Sequence, residues 1–131
     1  MDRARLETLA YTALRVVAGF MFLWHGSQKL LGVPAGKGAP EAWSQMWFGG
    51  LIELTCGTLI ALGLLTRAAA FLASGMMAVA YIQFHWKGHL GAEFLPIVNK
   101  GELAVLYCFV FLLFCVRGAG PVSIDRQLGR A

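Results

Sequence analysis

Ionisable side chains interrupt several of the apolar runs in this 131-residue chain, and they do so near the ends of those runs. His25 and Lys29 are four residues apart near the end of the first run, so they share one face of a helix. Glu53 lies inside the second run, and Glu102 lies at the start of the last. Since an ionisable group inside a membrane helix is costly, it is by default a candidate for function.

The chemistry that fits this set is proton transfer next to a polar head group. The candidate catalytic residues are Glu53, Glu102 and His25, and the candidate ligand-binding residues are Lys29, Gln28, Gln83, His85, Asn99, Arg15, Trp24 and Trp47. A quinone needs a donor at each carbonyl and a proton path when it is reduced. The two carboxylates would handle protons, the other polar groups would hold the head group, and the tryptophans would sandwich its ring. The sequence does not identify the cofactor, and a quinone is the candidate that this chemistry favours.

A metal centre is a weaker interpretation of the same residues. Histidine and carboxylate groups could ligate a divalent metal, but no short ligand spacing supports such a site, so we expect no metal. A haem is disfavoured because the chain has no haem-attachment motif. The three cysteines form no CxxC pair, which argues against a thiol-disulfide enzyme.

Structural roles remain open for the same side chains. Glu53 could neutralise Lys29 or Arg15 and thereby hold helices together. Glu102 could offset the helix dipole from a first turn. Arg15 lies close enough to the end of its run to reach the interface by snorkelling.

The elements that must position these groups are membrane helices. The chain is 58% hydrophobic and only 14% charged, against roughly 25% charged residues in soluble domains. Its apolar runs approach the length of about 20 residues that spans a bilayer core. We therefore predict an all-α integral membrane protein with a single domain over residues 1–131, folded as an up-down bundle of four transmembrane helices. These helices are predicted at about residues 9–31, 43–65, 68–86 and 99–116.

Pairs of glycines predict where two of these helices touch. Gly19 and Gly26 are seven residues apart in the first helix, and Gly50 and Gly57 repeat that spacing in the second. A seven-residue spacing places both glycines on one face, where a neighbouring helix can approach closely.

The distribution of basic residues predicts the orientation. Four spans place both termini on one side, which carries six arginines: Arg3, Arg5, Arg67, Arg117, Arg126 and Arg130. The other side carries four lysines: Lys29, Lys37, Lys87 and Lys100. The excess favours a multi-pass protein with both termini in the cytoplasm. This orientation brings the polar ends of all four helices to the outer half of the bilayer. No Lys/Arg block indicates nucleic-acid binding.

Four short motifs in order resemble the DoxX family over nearly the whole chain. They are Arg15 and Gly19 followed by HGSQK at residues 25–29, GLLTR at 63–67, GE at 101–102 and GAGPVSID at 118–125. The resemblance implies a small four-helix protein of the bacterial inner membrane with a link to redox metabolism. Relatives include a subunit of a thiosulfate:quinone oxidoreductase and proteins associated with thiol or oxidative-stress enzymes.

Two functions from different classes follow. The leading hypothesis is a redox-linked subunit or small quinone-linked membrane oxidoreductase that binds an amphipathic molecule in the outer half of the bundle. The alternative is a non-catalytic scaffold or assembly subunit, whose small-residue faces assemble a larger complex. The expected partners are the lipid bilayer, a quinone, and either oxidoreductase subunits or further copies of the chain. A transporter is disfavoured because four spans are few and no internal repeat is visible.

Overall fold

All regular secondary structure in residues 2–36 and 38–130, the part of the chain described by the computed structural model, is helical. Lys37, which the orientation prediction counts, lies outside these residues. The elements are α1 (Arg3–Leu31), α2 (Gln45–Leu62), α3 (Thr66–Ala80), a π-helical turn (Tyr81–Trp86), a 3₁₀ turn (Ala92–Phe94), α4 (Pro96–Asn99), α5 (Glu102–Arg117) and α6 (Ile124–Gln127). Within these described residues, three segments are long and apolar enough to cross a membrane, namely Arg3–Leu31, Gln45–Leu62 and Thr66–Trp86.

Local side chains set where the first two helices begin. The Asp2 carboxylate accepts a hydrogen bond of 2.8 Å from the backbone N–H of Arg5, so α1 starts well before the expected residue 9. The Ser44 hydroxyl accepts from the backbone N–H of Trp47 at 3.2 Å and caps α2 in the same way. Such caps satisfy amide groups that the first helical turn would otherwise leave without partners.

The third span ends in a π-helical turn that the sequence pattern does not reveal. Residues Tyr81–Trp86 are wound more widely than an α-helix, and the N–H of Lys87 bonds to the carbonyl of Ile82, five residues back. π-Helical turns are rare and occur frequently at functional sites. This one carries His85 and therefore controls where that ring points.

The last long helix is shorter than the three candidate spans. Lys100 adopts a left-handed conformation with φ of 61°, which separates α4 from α5. Helix α5 therefore starts at Glu102, not at the expected residue 99, and has 16 residues. At 1.5 Å per residue it is about 24 Å long, less than the roughly 30 Å of a hydrocarbon core.

Helices α1 and α2 pack antiparallel through the two predicted glycine faces. A Cβ atom added to Gly19 would lie 2.5 Å from the backbone nitrogen of Ala61, and one added to Gly57 would lie 2.5 Å from that of Leu23. Gly26 and Gly50 meet in the same way one step further along, where the carbonyl oxygen of Gly50 would lie 2.5 Å from a Cβ on Gly26. At these glycines the backbones of α1 and α2 are therefore in direct contact, with no side chain between them.

Helix α5 closes the bundle against α1 and α3. The Ser74 hydroxyl of α3 donates to the Cys108 carbonyl of α5 at 2.8 Å. Phe22 of α1 packs against Phe111 of α5 with ring centroids 4.7 Å apart. Phe22, Phe111 and Phe114 are almost fully buried, so this aromatic contact forms the centre of the core.

The exterior of the bundle is apolar. Phe71, Phe109 and Val116 are each more than three-fifths exposed, and large apolar side chains of every long helix face outward with them. Soluble monomers rarely expose continuous apolar surface on this scale. A surface of this kind suits lipid, in agreement with the predicted all-α class and with its membrane helices.

The glycine contact generates a test of the packing. We expect Gly57→Ala to destabilise the protein by about 1–3 kcal/mol, because its methyl group meets backbone atoms that cannot move aside. Gly75→Ala is the matched control, since a Cβ there meets nothing within 4 Å and alanine favours a helix by up to about 1 kcal/mol. Thermal unfolding in detergent measures both. Equal melting temperatures for the two variants would contradict the close contact.

Candidate functional site

A cavity of about 360 Å³ lies between α1, α2, the π-helical end of α3 and the start of α5. Its walls are mostly apolar, with contributions from Phe22, Met77 and Leu103. The polar and ionisable residues that line it are His25, Lys29, Gln45, Glu53, His85, Lys100 and Tyr107. Four of the sequence-predicted site residues therefore meet in one cavity: His25, Lys29, Glu53 and His85.

The strongest polar contact in the cavity joins α1 to α2. The Lys29 ammonium donates to Glu53 Oε1 at 2.6 Å. The Glu53 side chain is only 5% exposed, whereas that of Lys29 is 33% exposed. A buried carboxylate requires such a partner, because desolvating an unpaired charge costs several kcal/mol. The close approach of the two helices, with the Lys29 Cβ 3.2 Å from the place of a Cβ on Gly50, makes the contact geometrically feasible.

Two of the residues that line the cavity each carry a buried oxygen atom that has no partner among the described residues. Glu53 Oε2 and the Tyr107 hydroxyl are both buried and make no hydrogen bond within residues 2–36 and 38–130. Nearly all buried polar atoms in folded proteins are hydrogen-bonded, so each such atom calls for an explanation. A carboxylate oxygen accepts, and a phenol can both donate and accept. A ligand hydroxyl could satisfy either oxygen, whereas a ligand carbonyl could pair only with the Tyr107 hydroxyl.

His25 packs against the Tyr107 ring and also lines the cavity. Its ring meets the Tyr107 ring edge to face, with centroids 6.3 Å apart. His25 is half-buried and lies one helical turn from Lys29, so both face the cavity. The arrangement offers a proton carrier, a fixed cation and a phenol around one space.

The opposite wall is held in place by a network of amide groups. His85 Nδ1 donates to the backbone carbonyl of Asn99 at 3.2 Å. The Asn99 side chain in turn bonds to the Tyr81 hydroxyl and to the backbone N–H of Gly101. These contacts fix the ring of His85. Asn99 itself does not line the cavity, and its direct role in ligand binding stays a prediction.

Gln83 does not line the cavity either, but it contacts a residue that does. The Gln45 side-chain amide donates to Gln83 Oε1 at 2.5 Å and thereby ties the start of α2 to the π-helical turn. Gln45 lines the cavity, whereas Gln83 is exposed. The sequence pattern singles out Gln83 and misses the residue that it contacts.

Four further predicted site residues lie away from the cavity lining. Glu102 is exposed in the first turn of α5, where a carboxylate offsets the helix dipole. Trp24 packs edge to face on Phe20, and Trp47 packs on Trp43, in two separate aromatic groups. Gln28 is half-buried on α1. Direct roles for these four in ligand binding or catalysis stay predictions.

Arg15 lies at the other end of the bundle. Its side chain is 1% exposed, so it does not snorkel to an interface. It donates to the carbonyls of Ile60 and Ala61 at 2.6 and 2.8 Å, and to that of Val122 at 2.7 Å. The last carbonyls of a helix have no partners of their own. Arg15 therefore completes the end of α2 and ties residue 122 to it.

Asp125 satisfies backbone groups at the start of α3, as Arg15 does at the end of α2. Its carboxylate accepts from the backbone N–H groups of Leu65 and Thr66 at 2.8 and 2.9 Å. Burial alone would raise the pKa of Asp125, but these amide hydrogen bonds outweigh it and hold the pKa below its usual range. Motifs 63–67 and 118–125 of the resemblance therefore meet at one structural junction.

Tyr107, Gln45 and Lys100 are lining residues that the sequence analysis misses. Tyr107 stands in an apolar helix at the spacing of the core residues Ala104 and Phe111, so nothing in the pattern separates it from them. Lys100 lines the cavity from the left-handed turn before α5. No group of three or more His, Cys, Asp or Glu within the described ranges converges to hold a metal ion.

Comparison with known proteins gives matches over most of the chain. The DoxX family model matches residues 10–86. An uncharacterized protein of Haemophilus influenzae is 42% identical over 97% of this chain and 95% of its own length. An uncharacterized membrane protein of Mycobacterium tuberculosis is 31% identical over 89% of this chain and 80% of its own length. No solved structure gives a significant match.

The ion pair can be tested with a double-mutant cycle. We expect Lys29→Met to lower the free energy of unfolding by about 2 kcal/mol or more, since it leaves the Glu53 carboxylate buried without its cation. Adding Glu53→Leu should recover most of that loss, because the uncompensated charge is then removed. Chemical or thermal unfolding in detergent measures each variant. Strictly additive effects of the two substitutions would show that the pair is not coupled.

The Asp125 junction predicts a pH dependence. A pKa below the usual value means that the contribution of Asp125 is fully present above the unfolded pKa of about 3.9, and is lost as the pH falls through the folded pKa. Asp125→Ala should lower stability by about 1–2 kcal/mol near neutral pH, like the loss of a helix cap. The deficit should shrink in acid. Glu7→Gln, which disrupts only an exposed ion pair with Arg3, is the control. A deficit that stays constant with pH would contradict the prediction.

Proposed function

The chain belongs to the DoxX family of membrane proteins, and from that premise we propose that it binds a quinone-like or other amphipathic small molecule in the cavity of Glu53 and Tyr107. In this proposal it acts as a redox-linked subunit or small membrane oxidoreductase. The observation that carries the proposal is the pair of buried oxygens, Glu53 Oε2 and the Tyr107 hydroxyl, which have no partner among the described residues and belong to two residues that line an apolar cavity.

The cavity suits a molecule with a polar head and an apolar body. Leaving two buried oxygens unpaired costs about 1–3 kcal/mol each, so a ligand that pairs them recovers that free energy. Ligand pockets are typically apolar with a few convergent polar groups. Phe22 and Met77 supply the apolar wall, while Lys29 and His25 can donate to a carbonyl oxygen.

In the proposed quinone reaction, each group that lines the cavity has a separate role. Two-electron reduction of a quinone takes up two protons, one at each oxygen. In this proposal Glu53 and His25 each take up a proton from the polar end of the cavity, near His85 and Lys100, and pass it to one ring oxygen. A redox protein that binds this chain is oxidised and supplies the two electrons. Lys29 stabilises the carboxylate that Glu53 becomes once its proton has left, and Tyr107 donates a hydrogen bond to the nearer ring oxygen.

The topology proposed for this site is a four-span bundle in the bacterial inner membrane with both termini in the cytoplasm. Helix α5 supports a fourth span despite its length, because Leu106, Phe109 and Val116 face outward. The arginines support the orientation, since Arg67, Arg117, Arg126 and Arg130 gather at the end of the bundle away from the cavity. The cavity would then open in the outer half of the membrane.

The glycine contacts favour this function over a scaffold. A scaffold needs small-residue faces that are free to assemble with other chains. The faces of Gly19, Gly26, Gly50 and Gly57 pack against each other between α1 and α2, so these four glycines are not free for such assembly. Partner subunits would have to dock on other parts of the exterior.

Extraction of bound molecules tests the proposal. Protein purified in mild detergent is extracted with organic solvent, and quinones and lipids are quantified by mass spectrometry per mole of protein. We expect about one quinone per chain in the wild type. Glu53→Gln and His25→Ala should each bind about tenfold less quinone, because each substitution removes one of the proposed contacts to the head group. Glu102→Gln, at an exposed residue, tells whether the predicted role of that carboxylate extends to ligand binding.

Thr58→Val is the matched control for this experiment. Thr58 is exposed on α2, bonds only to its own helix through the Leu54 carbonyl, and does not line the cavity. It should retain quinone at the wild-type level. Recovery of bulk phospholipid alone from every preparation, or equal quinone in wild type and Glu53→Gln, would refute the proposed function.

A further inference from the structure

A second pocket, of about 350 Å³, lies at the opposite end of the bundle and is strongly basic. Four arginines line it: Arg67 from the start of α3, Arg117 from the end of α5, and Arg126 and Arg130 from the segment around α6. The rest of its wall is the backbone-rich stretch of residues 118–121 together with Asp125. Three separate parts of the chain thus direct guanidinium groups to one place.

The single carboxylate among the described lining residues does not neutralise these arginines. Both Asp125 oxygens accept from backbone N–H groups at the start of α3. Four cations and one engaged anion leave an excess of three positive charges around the pocket. Like charges gathered in this way repel one another, so the arrangement favours the binding of an anion.

Two of the arginines are fixed before any ligand arrives. Arg67 Nη1 donates to the carbonyls of Cys115 and Val116 at 2.9 and 2.6 Å, at the end of α5. The Arg117 guanidinium lies 4.3 Å from the centre of the Tyr11 ring, a cation–π contact. Fixing a binding group in advance lowers the entropy lost on association.

Gly118, the first residue of the pocket loop, leaves room for the Arg67 side chain. Gly118 has φ of 83°, which side-chain-bearing residues rarely adopt, and its carbonyl accepts from the Tyr11 hydroxyl. A Cβ at this position would lie 3.2 and 3.3 Å from Nη2 and Nε of Arg67. The Arg67 atoms not bonded to α5 therefore lie against the glycine that begins the pocket wall.

We propose that this pocket binds a phosphate group, supplied either by the head group of an anionic phospholipid or by a phosphate compound in solution. Phosphate offers several oxygens to planar, forked guanidinium groups, and arginine is the preferred residue for such bidentate contacts. The pocket lies where α3 begins and α5 ends, the level at which basic sites between membrane helices meet lipid head groups. The proposal uses none of the residues of the quinone cavity and stands independently of the proposed function.

Binding to the purified full-length chain tests the proposal with two probes. The first is phosphatidylglycerol, compared with zwitterionic phosphatidylcholine, with lipid retention followed by native mass spectrometry. The second is inorganic phosphate, with the melting temperature as readout. The test variant is Arg126→Gln/Arg130→Gln, which removes two exposed cations from the pocket. The control is Arg3→Gln/Arg5→Gln, which removes the same charge from the start of α1, outside the pocket.

We expect the test variant to bind phosphatidylglycerol about tenfold more weakly than the wild type, and the control to stay within about twofold. A loss confined to the lipid arm identifies a head group as the source of the phosphate. A loss confined to the inorganic-phosphate arm identifies a soluble compound. Equal losses in the test variant and the control, or no binding of either probe by the wild type, would overturn the proposal.

Discussion

The ion pair between Lys29 and Glu53 depends on how closely α1 and α2 approach. Four glycines remove the side chains that would otherwise separate the two backbones, and Lys29 then reaches across to a carboxylate that is almost fully buried. Without Lys29, the buried Glu53 carboxylate would lose the cation that offsets the cost of its burial. The pair satisfies only one of the two carboxylate oxygens, and the proposed function assigns the remaining oxygen to the ligand.

The two ends of the bundle use buried charge for different purposes. At one end Arg15 and Asp125 satisfy the backbone groups that α2 and α3 leave open, so both side chains are committed to the fold. At the other end Glu53, His25 and Tyr107 line a cavity. This contrast explains why burial of an ionisable group alone does not identify a site. What matters is whether the side chain bonds to backbone groups of the fold, as Arg15 and Asp125 do, or lines a cavity.

Much of this arrangement follows from the sequence, because helical periodicity and antiparallel topology are local rules. The seven-residue glycine spacing predicts the α1–α2 contact, and the order of the helices predicts that His25, Lys29, Glu53 and His85 share one end. Arg15 was less predictable, since its partner at residue 122 is distant in sequence. Tyr107 resembles a core aromatic residue, and nothing in the sequence marks the π-helical turn that presents His85. These features depend on tertiary contacts that a linear pattern does not contain.

Photoaffinity labelling with an azidoquinone is the measurement that tests the central claim most directly, because it maps where a quinone lies on the protein. The account predicts that the labelled peptides, identified by mass spectrometry, contain Glu53 or Tyr107 and that excess unlabelled quinone suppresses the labelling. Labels spread over outward-facing residues such as Phe71 and Phe109, unaffected by the competitor, would contradict it. In that case the cavity would not be a quinone site.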